Sequence, residues 1–186
     1  MLQLLSIRAN DDVVVDVPEQ VVDDPHIVVA LHGMGPNCPD LLQHQVMFDE
    51  LADETGLFIV VYPLGEQGHT YNLTQYYHCK GSVCIGSATV CGHTWNGGAC
   101  CFSLEDDTTF LLEMIRVVKE TLPATAAAKI FLAGFSAGGV MAHRIGCDHA
   151  DLVTAVVSVS GRCWLSYQRF SQHGNHVMFS QKLSFL

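Results

Sequence analysis

Long apolar runs are missing from this chain of 186 residues. The longest, such as Ile27 to Leu31 and Phe58 to Tyr62, fall far short of the roughly 18 residues that a helix needs to cross a bilayer, so no membrane span is expected. Positive charge is scarce as well. Nine basic residues face 19 acidic ones, for a formal net charge of -10. That field repels phosphate backbones and anionic lipid, which excludes nucleic acid as a natural partner and leaves any substrate to be held by hydrogen bonds and shape. Charged residues make up only 15% of the chain, against about 25% for an average soluble protein, while 49% are hydrophobic, so there is ample material for a core and disorder is excluded for most of the chain. Internal repeats, low-complexity tracts and a linker before Gly161 are also absent, and the length fits one domain of roughly 100 to 200 residues. The start lacks the basic segment and the apolar stretch of about 7 to 15 residues that mark an export signal, since Met1 to Ile7 is only a short apolar patch.

Cysteine, by contrast, is plentiful. Eight in the chain exceed what a reducing compartment usually shows yet stay below the roughly 8 to 10% of a scaffold held by disulfides alone. Five of them (Cys79, Cys84, Cys91, Cys100 and Cys101) crowd into a Gly/Ser/Thr-rich region that also carries the sequon Asn72-Leu73-Thr74. The composition fits a stapled, glycosylated surface excursion and a secreted or extracellular location. A zinc site is the rival, but the C-x4-C-x6-C spacing lacks the C-x2-C knuckle that presents paired thiolates to one ion, so no metal is expected.

Acid is absent from one end. Between Leu152 and Leu186 there is no Asp or Glu, and from Arg162 onward the pattern has no clear period. The chain therefore divides into a core at 1–161 and an atypical tail at 162–186.

Within the core, short β-branched runs alternate with helical patterns, which predicts β-α-β units and a mostly parallel sheet with helices on both faces. The strands are expected at Val13 to Val17, Ile27 to Leu31, Phe58 to Tyr62, Ile130 to Ala133 and Val153 to Val159. Nearly continuous apolar character predicts a sheet buried on both sides. One helix is expected over Asp40 to Glu54, with Leu41, Phe48, Leu51 and Ala52 inward and Gly56 as its stop. A second starts near Ser103 as cap, turns Phe110, Met114, Val117 and Val118 inward, and ends at Pro123. A third spans Val140 to Cys147.

The strand Ile130 to Ala133 runs into Gly134-Phe135-Ser136-Ala137-Gly138, a G-x-S-x-G turn between strand and helix. With 11 serines and 16 glycines, chance predicts about 0.08 such matches anywhere in the chain, before the strand and helix context is required. A serine on so tight a turn needs glycine two residues to either side, because a Cβ there would meet neighbouring backbone. The turn exposes the Ser136 hydroxyl as a candidate nucleophile and sets the Ala137 amide at the positive end of a helix, where an oxyanion would form. The strand Ile27 to Leu31 ends in His32-Gly33-Met34-Gly35, an H-G-x-G loop whose Met34 amide is the candidate second donor. His32 reads as a hydrogen-bond partner that fixes the loop.

Further features accompany these two: Val61-Tyr62-Pro63, Thr94-Trp95-Asn96 leading to Cys100-Cys101, Glu105-Asp106-Asp107-Thr108-Thr109-Phe110, Gly139-Val140-Met141-Ala142 and Cys147. Together, residues 26 to 161 resemble the polyhydroxybutyrate depolymerase and feruloyl esterase branch of the α/β-hydrolases. The resemblance implies a serine carboxylic-ester hydrolase, typically secreted, acting without a cofactor on polyester or on hydroxycinnamate esters of plant-wall polysaccharide. It also implies a disulfide from Cys147 to Cys100 or Cys101.

A triad needs an acid and then a histidine after the serine. Only Asp148 and Asp151 follow Ser136 as acids, and along a helix Asp148 lies roughly 18 Å and His143 about 10 Å away. His173 and His176 fall in the tail, beside a neutral Asn175. In the family it resembles the acid and the histidine come from loops after two later strands, so the resemblance implies a sheet incomplete at its C-terminal end and an impaired esterase. A non-catalytic ligand-binding module and a truncated product without function are the competing readings. Trp95 reads as a core residue first and as a platform for an aromatic acyl group second.

Overall fold

The structure is a computed structural model that describes residues 2–8, 11–35, 46–65, 70–72, 75–77, 84–85, 88–89, 93–97, 105–122, 125–161 and 177–181. Eleven strands and three helices lie in it: β1 (Leu2–Arg8), β2 (Asp11–Asp16), β3 (His26–Leu31), α1 (Phe48–Thr55), β4 (Phe58–Tyr62), β5 (Thr70–Asn72), β6 (Gln75–Tyr77), β7 (Cys84–Ile85), β8 (Ala88–Thr89), α2 (Asp107–Thr121), β9 (Ile130–Phe135), α3 (Ala137–Asp148), β10 (Val153–Val159) and β11 (Val177–Gln181). Seven strands form one sheet in the order β1-β2-β4-β3-β9-β10-β11, and β5-β6 and β7-β8 make two small hairpins within the cysteine-rich excursion. From β4 to β11 the five neighbours run parallel, whereas β1 and β2 add an antiparallel ribbon at one edge.

The β-branched runs explain the layering. Alternate residues of a strand point to opposite faces. On one face Ile27, Val29 and Leu31 of β3, Ile59 and Val61 of β4, and Ile130 and Leu132 of β9 join Phe110, Leu111, Met114, Ile115 and Val118 of α2 and Met141, Ala142 and Ile145 of α3 in the main core. On the other, Ala30, Val60 and Tyr62 pack with Ala52 of α1. Helices thus cover both faces, as the alternating pattern predicts. Burial on both sides does not extend to the whole sheet: Val157 of β10 is 41% exposed, against the expectation from its apolar run.

The helices correct three readings. The pattern expected to be continuous from Asp40 to Glu54 is broken at Met47, whose left-handed backbone (φ 52°) precedes α1 and resets the helical register. Ala52 consequently faces the sheet while Leu51 turns outward, and residues 36–45 lie outside the described part. The expected stop is present: Gly56 adopts φ 64° and its N–H donates to the Ala52 carbonyl. In α2 the cap is Asp106 rather than Ser103, which lies outside the described residues, because the Asp106 carboxylate accepts the Thr109 N–H at 3.1 Å. Leu111 and Ile115 complete the stripe of Phe110, Met114 and Val118, and Val117 is only half-buried.

The ends also differ from expectation. The patch from Leu2 to Ile7 supplies most of β1, paired antiparallel with β2 from Leu2 opposite Asp16 to Ser6 opposite Asp12, with a register shift before Arg8 opposite Asp11. In the tail, where no period is legible, Val177–Gln181 forms β11 beside β10, with Ala155 opposite Val177.

Met141, fully buried where α3 meets the sheet, gives a direct measure of this packing. Met141→Ala is expected to lower stability by about 2 to 5 kcal/mol, seen as a lower denaturant midpoint with an unchanged slope.

Candidate active site

The parallel register of β3 and β9 puts Leu31 opposite Gly134, so the segments that follow both strands leave the sheet at the same end. After β9 the chain reverses on Ser136, whose backbone sits at φ 53°, ψ -115°. A non-glycine residue in that region carries strain of order 1 to 3 kcal/mol, which persists only when the surroundings enforce it. Here they do. The Ser136 N–H donates to the Val159 carbonyl of β10 at 2.8 Å, and the Ser136 carbonyl accepts the Val140 N–H at 3.0 Å to begin α3.

The glycines of the turn are sterically required. A Cβ on Gly138 would stand 2.1 Å from the Leu31 carbonyl oxygen and 2.5 Å from that of His32; one on Gly134 would stand 2.2 Å from the Gly138 carbonyl oxygen. The first residues of α3 therefore lie directly on the end of β3. On the other flank, a Cβ on Gly33 would meet the Phe135 ring at 3.0 Å. The two segments that carry Ser136 with Ala137 and Met34 are in contact, and Ser136 is half-buried, Ala137 buried and Met34 half-buried against the main core.

Their amides are available. Ala137 begins α3, whose first N–H groups have no partner within the helix. In the loop after β3 the Gly35 N–H is taken by the His93 carbonyl at 3.2 Å, whereas the Met34 N–H donates to no acceptor among the described residues.

A third segment, Thr94 to Gly97, braces this end. Trp95 is fully buried and its indole N–H donates to the His32 carbonyl at 2.9 Å, so it is a core residue and not a platform for a ligand. Asn96 is held at both ends of its own peptide units. Its N–H donates to the Asp107 carboxylate at 2.6 Å, and its carbonyl accepts from the Arg144 guanidinium of α3 at 2.6 Å. The sequence marks Asp107 only as an acid in the first turn of a helix; nothing in a linear pattern reveals that it is fully buried and anchors a distant loop.

His32 is almost wholly enclosed, and its ring sits 4.8 Å from that of Trp95. Burial drives its pKa down to about 4, assisted by the neighbouring His93 and partly opposed by its bond to Gly33. The ring is neutral at ordinary pH.

The remaining candidates do not join Ser136. His143 is buried seven residues along α3, its pKa lowered by desolvation, and its Nδ1 has no partner among the described residues. Asp148 stands near Arg144 at 3.8 Å and His149 is the C-cap of α3, both at the far end of that helix. His173, Asn175, His176, Cys100 and Cys101 lie outside the described residues, and Cys147 is half-buried in the last turn of α3. No group of three or more His, Cys, Asp or Glu able to hold a metal ion occurs among the described residues. No helix there is long and apolar enough to cross a membrane.

Solved structures share this arrangement of strands and helices. An acetyl xylan esterase from Aspergillus awamori superimposes with a TM-score of 0.59 at 19% identity, over 91% of this chain and 56% of the other. A feruloyl esterase module from Clostridium thermocellum, in complex with sinapinate, gives 0.60 at 15% identity over 97% and 65%. An alpha-beta serine hydrolase homologue from Coxiella burnetii gives 0.55 at 15% over 97% and 73%. The chain has an α/β-hydrolase-like fold. It spans about half the length of the acetyl xylan esterase it matches. No protein-family description and no curated relative matches the chain.

Because the buried His32 stays neutral, an unfolded chain binds more protons below pH 6.5 than the folded one. Stability is thus complete above pH 6.5 and declines as the pH falls toward about 4, by on the order of 3 kcal/mol from this ring. His143 acts in the same direction. Denaturant midpoints measured between pH 7 and 4.5 are expected to fall for the wild type and to fall less for His32→Gln.

Proposed function

We propose that the chain is a serine carboxylic-ester hydrolase of the feruloyl esterase or polyhydroxybutyrate depolymerase type, with Ser136 as nucleophile and the amides of Met34 and Ala137 as oxyanion donors. The observation that carries this reading is the strained Ser136 turn packed against the end of β3, with two unclaimed amides beside it. In that arrangement the Ser136 hydroxyl attacks an ester carbonyl, the carbonyl oxygen gains negative charge, and donors already fixed in place stabilise it without reorganising. The alcohol leaves, and water releases the acid from the acyl-serine by the reverse geometry.

Removing the serine proton requires a base, and no histidine among the described residues meets Ser136. No acid in the sequence between Ser136 and His173 or His176 is placed to orient either ring, so turnover by this chain is expected to be weak, sustained by the oxyanion donors and by binding, which alone leave about 10³ to 10⁴ of acceleration over water in a stripped serine hydrolase. The same observation favours a second reading, a ligand-binding module that retains the site without turnover. An ester polymer or a small phenolic ester is the partner in either case. A secreted location, with Cys147 bridged to Cys100 or Cys101, fits the abundance of cysteine.

A fluorophosphonate probe followed by mass spectrometry tests the assignment. Labelling is expected at Ser136, slowly, and Ser136→Ala is expected to abolish it. Labelling undiminished in Ser136→Ala would refute the role of this serine.

A further inference from the structure

Among the described residues, the loop after β3 is held by side chains at two successive peptide units. The indole N–H of Trp95 donates to the carbonyl of His32 at 2.9 Å, and Nδ1 of His32 lies 2.6 Å from the carbonyl of the next residue, Gly33. The second ring nitrogen of His32, Nε2, accepts the Gly65 N–H at 2.9 Å. These partners determine the proton's position. A backbone N–H only donates and a carbonyl only accepts, so Nε2 is bare and Nδ1 carries the hydrogen. A single neutral tautomer satisfies both bonds.

From this geometry we propose that His32 and Trp95 are positioning residues that aim the Met34 amide into the oxyanion site. The proposal rests on the esterase reading above. The reason is the planarity of the peptide group. No peptide bond among the described residues is cis, and in a trans unit the C=O of one residue and the N–H of the next point in opposite directions. Holding the Gly33 carbonyl against the His32 ring fixes the Met34 N–H on the side away from that ring. Holding the His32 carbonyl against the indole fixes the preceding unit in the same way, so the loop cannot swivel about Gly33. Without these bonds glycine, which has no Cβ to restrict it, leaves the Met34 amide free to rotate.

Each anchor is itself fixed. The Trp95 segment is clamped by Asp107 of α2 and Arg144 of α3 through Asn96. Gly65, which donates its N–H to Nε2 of His32, has its own carbonyl 2.6 Å from Nδ1 of His93, while the His93 carbonyl takes the Gly35 N–H. Gly35 is thereby withdrawn as a donor and Met34 is left with the task. Neither His32 nor Trp95 touches the reacting atoms; both act through the backbone.

Two substitutions separate the bonds of His32. The side-chain amide of Asn places an N–H near the position of Nδ1, and that of Gln places an oxygen near the position of Nε2. His32→Asn retains the Gly33 bond and loses the Gly65 bond; His32→Gln does the reverse. Phosphonylation of Ser136 by a fluorophosphonate reads the oxyanion donors, since negative charge grows on the phosphoryl oxygen, and KM for p-nitrophenyl acetate reads ground-state binding. The rate constant for His32→Gln is expected to fall about 10²-fold with KM within about twofold, that for His32→Asn to stay within about tenfold of wild type, and that for Trp95→Phe to fall about tenfold. Equal losses in the Asn and Gln variants, or a loss carried by KM, would overturn the proposal. A wild type without Ser136-dependent labelling refutes the esterase reading itself, whereas wild-type labelling that all three variants preserve refutes only the positioning role. Should the variants fail to fold, long-range ¹H–¹⁵N spectra of the wild type decide: a hydrogen on Nδ1 of His32 is expected, and one on Nε2 would overturn the lock.

Discussion

Everything at the candidate site depends on one close approach, that of the Gly138 backbone to the carbonyls that end β3. Hydrogen bonding between parallel strands brings β3 and β9 side by side, but strand spacing alone leaves their continuations free to diverge. The absence of side chains at positions 134 and 138 lets the turn sink onto the neighbouring strand end. That contact enforces the strained backbone of Ser136 and delivers the Ala137 amide to the same place as the loop from β3. The strain is a local cost met by the main core, in which α3 contributes Met141, Ala142 and Ile145 against β3 and β9.

The polar contacts around this approach follow a consistent economy. Four groups are matched where the loops cross, indole to carbonyl, imidazole to amide, carboxylate to amide and guanidinium to carbonyl, whereas the buried Thr94 hydroxyl has no partner among the described residues. An unmatched buried polar group would cost roughly 1 to 3 kcal/mol, so the matches specify one arrangement of the loops. The amides of Met34 and Ala137 are conspicuous against this background because no described acceptor takes them.

Much of the architecture is legible in the residues because local pattern and global role agree. The runs at Phe58–Tyr62 and Val153–Val159 coincide with β4 and β10 to the residue, since apolar β-branched stretches of that length have few other stable uses. The Ser136 turn is legible because its steric requirement writes two glycines at fixed spacing. What the pattern conceals is set by partners distant in sequence. β1 and β11 are strands because a neighbouring edge offers hydrogen bonds, not because their own sequences insist on it. The break at Met47 replaces the expected continuous helix through one backbone angle that periodicity cannot register. Asp107 and Trp95 owe their positions to loops that meet only in three dimensions, so their roles have no linear signature.

The pairing of Leu31 with Gly134 joins positions about a hundred residues apart in the chain. Bringing such remote segments together carries a large entropic penalty before any contact compensates it. The amides of Met34 and Ala137 consequently come together only as the central sheet closes, and no early local fragment of the polypeptide contains both. If Ser136 acts as proposed, its competence is in this sense a property of late folding, withheld from partly assembled chains and lost with the first opening that separates β3 from β9.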